Sequence, residues 1–192
     1  MLDATKPPQR VTRTQPSGHY ALVVAQDIET LLHESADRFV DGIAGMSEGQ
    51  WLFKPASDAW CPSEVTEHLS IANRGIHGRL AKGLAILAGP RGVADDEIPY
   101  LFYRGDEPPN VSTPTGSWIE VDAAIAQFAA STETLVTWYA ESDLDLRAYG
   151  APHPVFGTLD ALQWLLFAQA HIERHRAQVI GITQRPAFPP RT

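Results

Sequence analysis

Residues 161–182 read ALQWLLFAQAHIERHRAQVIGI. Ala161, Trp164, Ala168, His171, His175, Gln178 and Ile182 alternate at three- and four-residue intervals. That spacing is the seam of an amphipathic helix, expected to begin at about Leu159. Two seam positions are histidines. Positions i and i+4 share a helix face, so the imidazoles of HIERH (171–175) point together into a core. A lone core histidine is ordinarily a neutral ring with a protein hydrogen-bond partner. A pair must satisfy four ring nitrogens, and leaving any of them unmet is costly. A shared metal ion satisfies one on each ring at once, and imidazole suits zinc, nickel or iron.

Three further helices are expected. Ile28, Leu31, Leu32, Phe39 and Ile43 form the stripe of a first, starting near Ala21 and closed by Gly42, Gly45 and SEGQ. Pro62 after Cys61 suits the first position of a second, and Glu64 stands where a capping-box acid sits. Val65, Leu69, Ala72, Ile76 and Leu80 carry its apolar face to about Leu87. Val121, Ile125, Phe128, Thr132, Leu135 and Tyr139 keep a bundle-like spacing in a third, from about Trp118. Between the second and third lie residues 89–117, with five prolines and four glycines. A loop this long in a compact domain crosses the molecule or covers a site. As a cover, its Tyr100, Tyr103 and Arg104 would meet a substrate; the plain crossover is the favoured reading. YGAPHPVFGT (149–158) reads as a turn-rich link, and no strand-like alternation is evident. The expectation is an all-α four-helix bundle over 19–185, with a loose arm at 1–18 and a short tail at 186–192.

Composition narrows the function. The chain of 192 residues has the size of one domain and a net charge of −8, with no basic cluster. That argues against nucleic acid and against an anionic membrane surface. No apolar run reaches the length of a membrane span, and the N-terminus lacks the apolar segment of a signal peptide. One cysteine, Cys61, excludes an internal disulfide and fits a reducing cytoplasm.

Spacing leaves a third metal ligand open. His68 lies at one edge of the Val65–Leu69–Ala72 stripe, and His77 flanks the other side about half a revolution round. His33 reads as solvated, His153 as a loop-packing residue, and His19 belongs to the arm. HIERH is not the zincin HExxH: Ile172 stands where that motif needs its glutamate, and Glu173 is roughly 200° round the helix from His171.

WLFKPASDAWCPSEVTEHL (51–69) and HPVFGTLDALQWLLFAQAHIERHRAQV (153–179) resemble two blocks of the DinB-like superfamily of metalloenzymes. The first has the tryptophan, helix cap, acid and His-Leu; the second has the G-x-L start, paired histidines and trailing glutamine. The resemblance runs from about residue 25 to 182. It implies an up-down-down-up bundle of left-handed twist, with 89–117 as the crossover between helices two and three. It also implies a divalent metal, zinc or nickel, held by His68, His171 and His175, which resolves the choice between His68 and His77. Relatives include S-transferases that use bacillithiol or mycothiol and a mycothiol-dependent isomerase. A homodimer is compatible with the family.

The departure is Cys61, where relatives have a capping serine. A thiol caps poorly, and a helix N-terminus lowers a thiol pKa, so a reactive cysteine stands against a small buried replacement for serine; the second is favoured. The expected activity is metal-dependent chemistry on a small molecule, by thiol S-transfer or hydrolysis, with a low-molecular-weight thiol as cosubstrate. The alternatives are a metal-binding or stress-response module without turnover, and a histidine cluster that only braces the bundle. Glu67 and Gln178 are candidates for supporting the ligands, although packing or solvation is the favoured reading of each. Trp60 and Trp164 are expected to wall the core, with a pocket as their second role.

Overall fold

The computed structural model describes residues 28–89, 92–103, 112–117 and 120–190. The expected arm at 1–18, His19 and Arg104 lie outside them, as do the side chains of Tyr100 and Tyr103. In order come α1 (Ile28–Ile43), α2 (Glu48–Trp51), α3 (Pro62–Lys82), β1 (Ala85–Ile86), a 3-10 helix (Asp95–Tyr103), α4 (Val121–Glu141), β2 (Tyr149–His153), β3 (Gly157–Asp160) and α5 (Ala161–Thr183). The protein is mostly helical. No helix among the described residues is long and apolar enough to cross a membrane.

The four long helices enclose two apolar clusters, one with Leu32, Ile76, Leu135 and Leu165 and the other with Phe39, Leu69, Phe128 and Ile172. α1 packs on α4 and α5, and α3 packs on α4 and α5. Ile28, Leu32, Phe39 and Ile43 of the α1 stripe are buried, and Phe39 meets Phe128 of α4 with ring centroids 5.0 Å apart. Burying a side chain of this size is worth about 1.5–3 kcal/mol. Polar contacts fix the registers. Arg38 of α1 donates to Glu173 of α5 at 2.8 and 3.0 Å, and Gln169 of α5 donates to Ser35 of α1 at 2.9 Å. His33 of α1, at the surface, faces Glu133 of α4 at 3.0 Å. Asn73 of α3 donates to Thr132 and Ser131 of α4.

The expectation of no strands is overturned. β1, β2 and β3 form an antiparallel sheet, paired Ala85 with Gly150 and Ala151 with Leu159. Consequently α3 ends at Lys82 rather than near Leu87, and α5 starts at Ala161 rather than Leu159. The strands have two, five and four residues, too short to display a period of two. Pro152 and Gly150 make the segment read as a turn. The glycine is there for proximity, because a Cβ at Gly150 would lie 2.5 Å from the Leu159 carbonyl oxygen.

This hairpin and the 3-10 helix both pack on α5. They explain why residues 161–168 of α5 are all buried rather than only the seam. The crossover is pinned where Gly92 donates to the Thr158 carbonyl at 2.8 Å. Gln163 adds bonds to the Val93 carbonyl and Asp95, both at 2.9 Å. At the other end of the chain, Phe188 meets Phe53 edge-on, and Gln50 donates to the Pro189 carbonyl.

Candidate metal centre

α5 brings His171 and His175 to the core on its seam, at 7% and 4% exposure. α3 brings His68, at 7%. The three can offer ligand nitrogens within 4.8 Å of one another. His171 Nε2 lies 3.1 Å from His68 Nε2 and 3.0 Å from His175 Nε2. The residues named from the family blocks therefore do meet, and His77 is absent from the cluster.

The outer nitrogens fix the proton positions. His68 Nδ1 lies 2.8 Å from the Ser112 carbonyl oxygen, which can only accept, so Nδ1 carries the proton. His175 Nδ1 lies 2.7 Å from Gln178 Oε1, again an acceptor. Burial drives all three rings toward the neutral form. It lowers His68, with Arg174 adding to the effect against the Ser112 bond. It takes His175 to about 3, with His68 the next cause. His171 falls well below the ordinary histidine value, through burial and then the neighbouring His175 and His68. Neutral rings protonated at Nδ1 present lone pairs at Nε2. Those of His68 and His175 both face His171 Nε2. A proton there can be donated to one of them, leaving the other lone pair against a nitrogen that offers it nothing. A cation at the meeting point accepts from all three.

Gln178 thus orients His175, beyond the packing or solvated role favoured for it. Glu67 also does more than either: it is buried, and it holds the segment that orients His68. The Gly116 N–H donates to it at 2.8 Å, and the Thr115 and Ser117 hydroxyls donate to its other oxygen. Burial works to raise this carboxyl, but these bonds outweigh it and hold it below its ordinary value. Glu67→Gln removes the charge from three donors at once, at a cost of about 1.5–3 kcal/mol. The expected result is faster hydrogen exchange at the Gly116 amide; unchanged exchange would show that Glu67 does not hold the segment.

Trp60 covers the ligands, its ring 4.7 Å from His68 and 6.2 Å from His175. Trp164 is buried further along α5 and bonds the Ala151 carbonyl. Cys61 caps α3 through its backbone, whose N–H donates to Glu64 at 2.9 Å. The thiol is 3% exposed, and burial raises its pKa. That is the chemistry of a small buried residue rather than a nucleophile. Native protein is expected to resist a thiol-specific disulfide reagent until it is denatured; rapid labelling under native conditions would reverse the assignment.

His153, read as a packing residue of a loop, ends β2 instead and is buried against Phe156, Trp164 and Phe167. No periodic signal could have found it, because its strand is too short to show one.

No curated protein and no solved structure matches the chain. The family model of the DinB superfamily matches residues 31–179, a span that holds all three clustered histidines. The chain belongs to the DinB superfamily.

Proposed function

We propose that His68, His171 and His175 bind a divalent metal ion, zinc or nickel, and that the protein is a metal-dependent enzyme acting on a small molecule. The observation that carries this reading is the convergence of three neutral imidazoles on one point, two with their Nδ1 protons committed elsewhere. Three protein ligands with a further position open is the pattern of catalytic rather than structural zinc. A bound divalent ion supplies Lewis acidity, lowering the pKa of a thiol or water at that position.

The chain's own contribution is positioning. Ser112 and Gln178 hold the rings of His68 and His175, Glu67 holds the 112–117 segment, and Trp60 shields the ligands from water. Family membership favours thiol S-transfer over hydrolysis, with a low-molecular-weight thiol as cosubstrate. A metal-binding module without turnover is the second reading, supported by the same cluster.

The same reading takes the helices as an up-down-down-up bundle with left-handed twist. Three sets of contacts support the directions. Residues 35 and 38 of α1 meet 169 and 173 of α5, running the same way. Residues 33 and 39 of α1 meet 133 and 128 of α4, running opposite ways. Residues 68 and 79 of α3 meet 171 and 164 of α5, also opposed.

The test begins with elemental analysis of tag-free protein. Metal-loaded protein is then assayed for consumption of an alkyl halide by bacillithiol, mycothiol or cysteine, and for ester hydrolysis. Stoichiometric metal with thiol turnover supports the enzyme. Metal without turnover on either class supports the binding module. Absence of uptake from added zinc or nickel removes both.

A further inference from the structure

Residues 112–117 read STPTGS and form neither helix nor strand. Thr113, Thr115, Gly116 and Ser117 are exposed, yet the segment lies on two buried side chains of α3, Glu67 at 2% and His68 at 7% exposure. Its bonds divide between these neighbours. His68 donates its Nδ1–H to the Ser112 carbonyl at 2.8 Å. Glu67 accepts from the Gly116 N–H at 2.8 Å and from the Thr115 and Ser117 hydroxyls. One end of the segment therefore rests on a candidate metal ligand, and the other on the carboxylate one residue before it. The turn is built into the sequence: Gly116 has a φ of 72°, a conformation that favours glycine.

These contacts join the segment to the chemistry of the centre. A neutral imidazole has two tautomers, and only the one protonated at Nδ1 offers its lone pair at Nε2. The Ser112 carbonyl selects that tautomer for His68. With the segment lifted, His68 loses the acceptor that holds both its ring and its proton. The effect also runs the other way. A cation on Nε2 draws charge from the ring, which makes the Nδ1–H a stronger donor and tightens its bond to Ser112. A closed segment and an occupied centre thus favour each other, and such a preference is reciprocal.

We propose that residues 112–117 are a metal-linked clip. A divalent ion on the three histidines holds the clip closed, and opening the clip weakens the ion's hold through His68. Metal occupancy of a buried centre is thereby displayed on an exposed segment. Glu67 is the clasp, a positioning residue that acts through Gly116 and Ser112 and does not touch the metal. The clip deepens the reading of the three histidines as a metal site and rests on it.

The test follows amide hydrogen exchange and zinc affinity of the full chain. Stoichiometric zinc is expected to slow exchange at the Gly116 amide about tenfold in the parent protein. The Ala148 amide, in a turn and bonded to the Asp145 carbonyl at 2.9 Å, is the control and should not change. Glu67→Gln should raise the zinc dissociation constant about ten- to a hundredfold, the usual effect of losing a group that orients a ligand. Asp160→Ala, which removes the cap of α5 away from the clip, should keep the parent's zinc affinity. Zinc that binds without slowing Gly116 would overturn the clip and leave the metal site standing, as would equal slowing at Ala148. Glu67→Gln with faster Gly116 exchange and parental zinc affinity would overturn it too. Absence of zinc uptake by the parent would remove the metal reading, and the clip with it. The comparison within the parent needs no variant, so it decides the matter even if Glu67→Gln does not fold.

Discussion

His171→Ala is expected to retain less than about a tenth of the divalent metal bound by the parent protein, because its Nε2 is the atom that both other ligand nitrogens face. The loss should be visible without any activity assay. A ligand at a hundred times its dissociation constant stabilises the folded state by about 2.7 kcal/mol. For a chain of this size that raises Tm by roughly 5–10 °C. The parent should show this rise with zinc or nickel, and His171→Ala should show none. His68→Ala and His175→Ala should behave like His171→Ala, and His77→Ala should behave like the parent. A variant at any of the three ligands that keeps full uptake would remove that residue from the centre. A parent without any shift or uptake would leave the three imidazoles as a core cluster.

The two halves of this centre differed in how legible they were in the sequence. His171 and His175 could be read from spacing alone, because the 3.6-residue period of α5 assigns each residue a face and both fall on the seam. His68 could not, because it stands at the edge of its stripe. Its ring is turned inward by the Ser112 carbonyl, 44 residues away in sequence, and no local pattern encodes such a contact. Only the resemblance to the family blocks named it. Glu67 is hidden for the same reason, since its partners lie in the crossover. The hairpin was missed because Pro152 and Gly150 suit a turn as well as a strand that meets its neighbours closely. Helices carry their periodicity in one segment; short strands exist only through pairing with another.

Asp160→Ala is expected to lower stability by about 2–4 kcal/mol, combining a lost helix cap with a lost charge partner. Asp160 is fully buried at the junction of β3 and α5. One oxygen accepts from the Gln163 N–H at 2.7 Å, and the Gln163 side chain accepts in return from the Asp160 N–H at 3.1 Å. That exchange satisfies two donors at the helix start, and the carboxylate sits at the positive end of the helix dipole. The other oxygen accepts from Arg147 at 2.9 Å, and Arg147 also holds Asp95 at 2.6 and 3.0 Å. Arg147 is one-third exposed, so water offsets part of its loss and the cap dominates the estimate. Asp160→Asn separates the two contributions. It keeps an oxygen for the Gln163 amide but turns the oxygen that faces Arg147 into an NH2 donor. With water meeting the partly exposed Arg147, this should cost about 1–2 kcal/mol. Urea unfolding of metal-free protein measures both variants. His171 lies eleven helical steps beyond Asp160, about 16 Å along the axis. Metal stoichiometry should therefore survive Asp160→Ala at temperatures where the variant is folded. A variant that keeps its stability would show that the Arg147 network does not anchor α5. A folded variant that loses metal would show that the start of α5 positions its histidines, and that hairpin, helix and centre act as one unit.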